Sequence, residues 1–331
     1  MKIAVVSHDA GSSELMCAFI QEYRTKADWH IFAKTSSPMA EICKRHNFSY
    51  APMEDAVEQL GKVRPDLLLF GTGWQDKCEQ PYVHFCKEHA IPTIAFLDHW
   101  SNYRERFGFP DNGWKENLGD YTAVHDERAY SLALSMDLPN PLKLPNHYLI
   151  RLIEEAVQRQ AEAAKTLLFL SEPTDAVAQK TYGDPLYWGF TQYTALEDIL
   201  EHFEDFQCED LIIRLHPSEK SSNYDAILER YSNISVQIHD IHSVDLMDEL
   251  LYAKAIIGFD TMALYIAALL GKSVISYLPT KKREFLLPLP KNRQLNHLSN
   301  LSNELLLGCS LHMDKFGMDF ATFINTVKKV D

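Results

Sequence analysis

Positive charge is what this 331-residue chain has little of: 32 Lys and Arg stand against 46 Asp and Glu, for a net charge of −14. An acidic surface repels phosphate backbones, which argues against nucleic acid as the main partner. No basic stripe for an anionic membrane is present, and the one dense basic cluster is Lys281-Lys282-Arg283. A small anionic ligand is still compatible with this balance, because a helix N-terminus and a few local cations suffice to bind it. Long apolar runs are also missing. None approaches the roughly 20 residues that span a bilayer. The first run, at residues 3–6, is soon followed by His8-Asp9, which is too short for a secretory signal. The six cysteines are scattered with no CxxC pair, and Cys78 and Cys86 match no common zinc spacing. Reduced thiols, no metal and a cytoplasmic location are therefore expected, with at most peripheral membrane association.

Several catalytic signatures are absent as well. The chain has no GxGxxG after its first strand, no Walker A, HExxH, GxSxG or DxD. Nicotinamide dehydrogenases, P-loop enzymes, zinc proteases, serine hydrolases of the elbow type and metal-bridged DxD transferases all lose support.

What is there is an α/β rhythm. At about 150 residues per domain the length suggests two domains, and 46% hydrophobic residues supply their cores. Short apolar runs predict strands over 2–7, 30–33, 66–70, 93–97 and 121–124. Helical patterns fall over 13–22, 38–46, 55–63, 80–89 and 127–135. A polar Ala/Glu/Gln-rich stretch at 150–165 predicts a connecting helix. The rhythm then restarts, with strands over 166–170, 211–215, 234–238, 255–259 and 273–277. Its helices fall over 196–206, 225–231, 243–251 and 263–270, and a terminal helix over 316–329. Buried apolar strands alternating with helices imply parallel sheets covered on both faces. The expected fold is thus two doubly wound, Rossmann-like domains facing a cleft. The first spans residues 1–150, a linking helix 151–165, the second 166–310, and a C-terminal helix 311–331.

Ligands of such sheets bind beyond the carboxyl ends of the strands. In the second half three strand ends carry polar residues. His216-Pro217-Ser218-Glu219-Lys220 follows one strand: Pro217 stops the ladder, His216 is held where its imidazole meets an anionic oxygen, and Ser218 and Lys220 add a hydroxyl and a charge. Asp260-Thr261-Met262 follows another and opens a helix, where Asp260 or Thr261 is a natural N-cap and free backbone N–H groups favour phosphate. Ser171-Glu172-Pro173 occupies the first loop of the second domain, with Glu172 placed to accept hydrogen bonds from a ribose or base.

HPSEK after a strand, followed by VDLMDELLYAKAIIGFDTMALYIAALLGKSVISY, resembles the nucleotide-sugar half of GT-B glycosyltransferases. The resemblance is to bacterial surface-glycan enzymes with a His-Pro motif, including sialyltransferase-like and polysialyltransferase-like families. It implies that His216 contacts the donor phosphate with Thr261 beside it, and that the chain transfers a sugar without a metal or other cofactor. A CMP-linked nonulosonate donor fits it best and a UDP-sugar next, with a glycan, lipid-linked or protein acceptor. Asp260-Thr261 stands where those families often show Ser-Ser or Ser-Thr. A hydrolysing nucleotide-sugar 2-epimerase of the same architecture and a non-catalytic nucleotide-sugar-binding protein are the alternatives.

The first half then supplies the acceptor side. His8-Asp9-Ala10-Gly11-Ser12-Ser13 ends the first strand. Gly11 allows a tight turn, Ser12 or Ser13 caps the next helix, and Asp9 is the first candidate for the base that GT-B enzymes place in this domain. Gly71-Thr72-Gly73 follows another strand and allows close approach of a ligand. The run Asp98-His99-Trp100-Ser101-Asn102-Tyr103-Arg104-Glu105-Arg106 offers a competing acid/base pair in Asp98 and His99. Trp100 and Tyr103 would provide sugar-stacking faces, Asn102 an amide, and Arg104 and Arg106 a grip for a carboxylate.

Overall fold

The computed structural model describes residues 1–73, 76–159, 164–313 and 317–328. The chain divides into two compact units, Met1–Arg151 with Met313–Asp331, and Leu152–His312. Both are parallel α/β sheets. In the first unit β1 (Lys2–Ser7), β2 (Asp28–Ala33), β3 (Ala51–Pro52), β4 (Leu67–Gly71), β5 (Thr93–Phe96), β6 (Tyr121–Val124) and β7 (Pro141–Lys143) lie in the order 3-2-1-4-5-6-7. Every pairing is parallel. In the second unit β8 (Thr166–Leu170), β9 (Asp210–Arg214), β10 (Ser235–His239), β11 (Ala255–Gly258), β12 (Ser273–Tyr277) and β13 (Gln294–Leu295) lie in the order 10-9-8-11-12-13, again all parallel.

The strands at each sheet's centre explain the apolar runs. β4, β8 and β11 are buried at every residue, as a strand covered by helices on both faces must be. Gly258 keeps β11 against β8: a Cβ there would lie 3.0 Å from Leu170 Cβ and 3.1 Å from its carbonyl oxygen.

The first unit carries α1 (Ala10–Glu22), α2 (Pro38–Arg45), α3 (Ala56–Val63), α4 (Gln80–Glu88) and α5 (Glu127–Ser135), and α6 (His147–Val157) runs across the boundary at Arg151. The second carries α7 (Thr174–Tyr182), α8 (Gln192–Glu201), α9 (Asp225–Leu228), α10 (Leu246–Tyr252) and α11 (Met262–Leu269). The last helix, α12 (Phe320–Val327), returns to the first unit, where Phe323 and Val327 enter the core. Phe323 packs edge-on against Phe19 at 5.6 Å between centroids, and Phe320 lies 4.9 Å from Tyr23. Among the described residues no helix is long and apolar enough to cross a membrane.

Several expected elements differ in extent. The first helix begins at Ala10, not at 13, because Asp9 rather than Ser12 or Ser13 is its cap: its carboxylate accepts from the Ser12 N–H. Gly11 is therefore inside the helix, not in a turn. The helix expected over 150–165 runs from His147 to Val157; residues 160–163 lie outside the described residues, as do 316 and 329 of the expected terminal helix. The pattern over 196–206 is two pieces, α8 and a separate 3₁₀ turn, Phe203–Phe206. The two- and three-residue strands β3, β7 and β13 are too short to show a pattern. α7 was missed because only Thr174 and Ala178 of its nine residues are buried.

Candidate functional site

Strand order reverses direction between β1 and β4 in the first sheet and between β8 and β11 in the second. Loops leaving neighbouring strands in opposite directions open a crevice at such switch points. The polar residues singled out in the sequence gather at these two places, and each unit holds its own cluster.

In the second unit, loops from β9, β8 and β11 are stitched into one rim. Glu219 is the centre of the stitching. Its Oε2 accepts from the His216 backbone N–H at 2.9 Å. Its Oε1 accepts from Ser171 Oγ at 3.0 Å and from the Tyr224 hydroxyl at 2.6 Å. Ser171 is thus a brace, buried against Tyr224, rather than a group facing a ligand. Glu172 and Asp260, from β8 and β11, both face Arg283: its Nη2 lies 3.7 Å from Glu172 Oε2 and 3.4 Å from Asp260 Oδ2. The guanidinium also lies over the Trp188 ring, 5.1 Å from its centroid. Asp260 is fixed further by the Leu286 N–H at 3.1 Å. Burial pushes Glu172 up to about 7; Arg283 opposes the shift, and Asp260 and Glu219 add to it.

Thr261 is the cap of α11, its hydroxyl accepting from the Ala263 N–H at 3.4 Å. Asp260 precedes the cap. Met262 is the first helical residue and is half-buried. His216 is held in one tautomer. The Ser218 N–H donates to its Nδ1 at 3.2 Å, and Ser218 Oγ lies 2.8 Å from the same nitrogen. An Nδ1 that accepts leaves the proton on Nε2. Burial lowers the His216 pKa, with the Glu219 charge opposing, so the ring is neutral at pH 7 and donates from Nε2. Pro217 and Lys220 are exposed on the same loop.

The first unit treats the aromatic-charged run differently from expectation. Asp98 does not pair with His99. Its Oδ1 takes Arg106 Nη1 at 2.6 Å, while His99 Nδ1 lies 3.0 Å from Ser101 Oγ. Arg106 is buried and also donates to the Thr72 carbonyl and hydroxyl and to the Ser101 carbonyl. Arg106 therefore has no carboxylate-gripping role to spare. Arg104 donates to the Met136 carbonyl instead. Trp100 and Tyr103 offer no stacking face. They are 6% and 1% exposed, and their polar atoms point to Asp126 and the Ala129 carbonyl. Asn102, at φ 56°, turns the chain so that its carbonyl accepts from the Arg106 N–H. Trp100, Tyr103 and Arg106 pack inward because each of their polar tips finds a partner within the fold.

Asp98 also explains Gly11, where a Cβ would come within 1.8 Å of Asp98 Oδ2. Gly71 is required by a hydroxyl cluster: a Cβ there would lie 2.4 Å from both Ser7 Oγ and Ser12 Oγ. Ser7 bonds Ser12 and Ser13 at 2.9 and 2.8 Å, all three buried. Ser12 and Ser13 are consequently tied within the fold rather than presented to an acceptor. Thr72 is buried too and donates to the Phe96 carbonyl. Asp9 keeps Oδ1 on the Ser12 N–H and hydroxyl, at 2.9 and 2.6 Å. Its other oxygen lies beside Gly73, 3.0 Å from where a Cβ would be.

Four participants were invisible as a pattern. Arg283 and Trp188 come from loops far from β8 and β11 in sequence, although the basic cluster at 281–283 marked the former. His8 and Glu79 form the other pair. His8 Nδ1 meets Glu79 Oε1 at 2.6 Å, and Cys78 Sγ lies 3.6 Å from Glu79 Oε2. Burial disfavours the His8 charge, but hydrogen bonds to Cys78 and Glu79 outweigh it and push His8 up to about 10. Beside them a small, open pocket is lined by Gly71, Thr72, Gly73, Glu79, Arg106 and Asn117 among others.

No family model and no curated protein matches the chain. Solved structures do. UDP-GlcNAc 2-epimerase from Neisseria meningitidis, bound to UDP-GlcNAc, is 13% identical with a TM-score of 0.62, over 86% of this chain and 84% of its own. S. aureus MnaA with UDP is 13% identical with a TM-score of 0.61, over 99% and 96%. Anabaena HepE in complex with UDP and glucose is 10% identical with a TM-score of 0.52, over 84% and 80%. At these identities the likeness establishes the fold: two parallel-sheet, Rossmann-like units of the GT-B type.

Proposed function

We propose that this protein is an enzyme that cleaves the bond between the anomeric carbon of a nucleotide-diphosphate sugar and its phosphate oxygen. The observation that carries the reading is the rim of the second unit. There Glu219 and the Glu172–Asp260 contacts hold together the loops that bear the neutral His216 and the start of α11. Neighbouring strands lie about 4.8 Å apart, so the ends of β9 and β11 flank β8 at about 10 Å, room for a diphosphate between them. His216 donates from Nε2 to a phosphate oxygen, the α11 backbone N–H groups and Lys220 face the same charge, and together they stabilise the leaving phosphate. Glu172 takes a ribose or base hydrogen bond. UDP is preferred over the CMP-linked donor of the His-Pro resemblance, because the three related structures hold UDP or a UDP-sugar.

Transfer to an acceptor hydroxyl is the first form of this reaction. Asp9 is assigned the proton-accepting role, because one oxygen is not committed to the cap, whereas Asp98 is ion-paired to Arg106. Hydrolysis with epimerisation at the sugar is the second form, favoured by the similar structure of a 2-epimerase whose coverage exceeds four-fifths of both chains. A thermal-shift comparison of UDP, CMP, GDP and dTDP tests the nucleotide, since a ligand bound only by the native state raises the midpoint. UDP-GlcNAc turnover is then followed with and without acceptor. Free UDP and an epimerised free sugar without acceptor select hydrolysis, and dependence on an acceptor selects transfer. Stabilisation by no nucleotide would refute both.

A further inference from the structure

We propose that His8, Cys78 and Glu79 form a binding site for a borderline transition dication of the zinc type, an assignment independent of the nucleotide reading. The three side chains come from the end of β1 and the start of α4, 71 residues apart for His8 and Glu79, so no sequence spacing reveals them. Each offers one donor atom, and the three donors lie within 4.8 Å of one another. One is nitrogen, one sulfur and one oxygen, the mixed set that zinc accepts and that calcium and magnesium do not.

One edge of the site already has the length that zinc requires. With Zn–S of about 2.3 Å and Zn–O of about 2.0 Å, a tetrahedral edge between sulfur and oxygen is about 3.5 Å. Cys78 Sγ and Glu79 Oε2 are 3.6 Å apart. The nitrogen–oxygen edge would be about 3.3 Å, against a 2.6 Å hydrogen bond between His8 Nδ1 and Glu79 Oε1. The hydrogen bond is to Oε1 and the sulfur approach is to Oε2, so entry of the ion requires the His8–Glu79 hydrogen bond to open and one Glu79 oxygen to turn to the ion. The ion forms bonds to sulfur, nitrogen and oxygen. It displaces the thiol proton and the proton between Nδ1 and Oε1, and both leave to solvent.

The surroundings favour a cation. The Glu79 side chain is 6% and that of His8 14% exposed. The nearby lysines are committed elsewhere: Lys77 donates to the Glu105 and Arg106 carbonyls, and Lys34 pairs with Asp76. Asp9 adds a further carboxylate on the His8 side, its Oδ2 sharing with the His8 ring the space above Gly73. Glu79 and Gly73 also line the pocket of the first unit. Three protein donors leave a fourth tetrahedral position for water.

Cobalt(II) is the probe. Titration of the full-length, chelator-treated protein should give one equivalent bound with a thiolate-to-cobalt charge-transfer band in the near ultraviolet. Cys78→Ser should lose the band while Cys208→Ser, in the other unit, keeps it. The unmodified protein gives a second measurement if the variant fails to fold. Zinc should slow alkylation of Cys78, read by peptide mass, by about tenfold or more, because a coordinated thiolate is withheld from the reagent. Cobalt bound with no charge-transfer band, a band that survives in folded Cys78→Ser, or alkylation of Cys78 that zinc leaves unchanged would each overturn the site. None of these outcomes depends on nucleotide binding.

Discussion

Glu172→Gln should make the protein more stable, and only above a definite pH. Glu172 sits at the end of β8 with Asp260 and Glu219 as acidic neighbours and a single guanidinium, Arg283, facing it and Asp260 together. Its folded-state pKa of about 7 lies above the ordinary 4.5. A raised carboxyl pKa means that the folded state holds its proton where the unfolded chain has lost it, so stability falls as pH rises from about 4.5 to about 7 and is level beyond. At 1.36 kcal/mol for each tenfold change in proton affinity, the loss is about 3 kcal/mol. Gln has the shape of the protonated acid and does not titrate. Urea unfolding followed by circular dichroism, at pH 4.5 and pH 8, measures it. The variant and the parent should be nearly equal at the lower pH, and the variant should lead by up to about 3 kcal/mol at the higher. A difference that is the same at both pH values, or a variant that is less stable at pH 8, would refute the argument that Glu172 is held against its charge.

His216→Ala should weaken UDP binding by about ten- to a hundredfold, the size of one lost hydrogen bond to a charged group, with the thermal midpoint of the free protein unchanged; calorimetric titration reads the affinity and a thermal melt the midpoint. Arg106→Ala should destabilise the first unit by about 3–5 kcal/mol, because the half-buried Asp98 then loses its partner and the Thr72 and Ser101 carbonyls lose a buried donor, while Asp98→Asn should cost less; denaturant midpoints compare them. Asp9→Asn should lower kcat by roughly a hundredfold with little change in UDP affinity, and an active Asp9→Asn beside an inactive Asp98→Asn would move the base to the second carboxylate.

The fold was legible wherever burial dictates composition. The strands over 2–7, 121–124, 166–170 and 273–277 begin and end where expected, because a strand covered on both faces is a near-continuous apolar run whose ends are marked by polar residues such as Lys2 and Ser7 of β1. The rim was legible in part for the same reason: His216 and Thr261 stand at strand ends, and strand ends are where apolar runs stop. The run from Asp98 to Arg106 misled because composition cannot tell an inward-facing polar tip from an outward-facing one. Trp100 looks like a sugar platform until Asp126, from the next strand's loop, is seen to take its indole N–H. Arg283 and Glu79 carry no periodic signal at all. They reach their partners through loop geometry, which a one-dimensional pattern does not encode.

The return of α12 to the first unit has a consequence for how the protein is made. On the ribosome, Phe19, Tyr23 and Trp29 emerge before the second unit, but the helix that covers them with Phe320 and Phe323 emerges after it. All of residues 152–312 are threaded out in between. At about 5–20 residues per second that interval is roughly ten to thirty seconds. The later half has every strand of its sheet in hand before the earlier half has its last piece. The nascent chain therefore carries an open aromatic seat while the whole of the second unit is made, and of the two units the one that starts first finishes second.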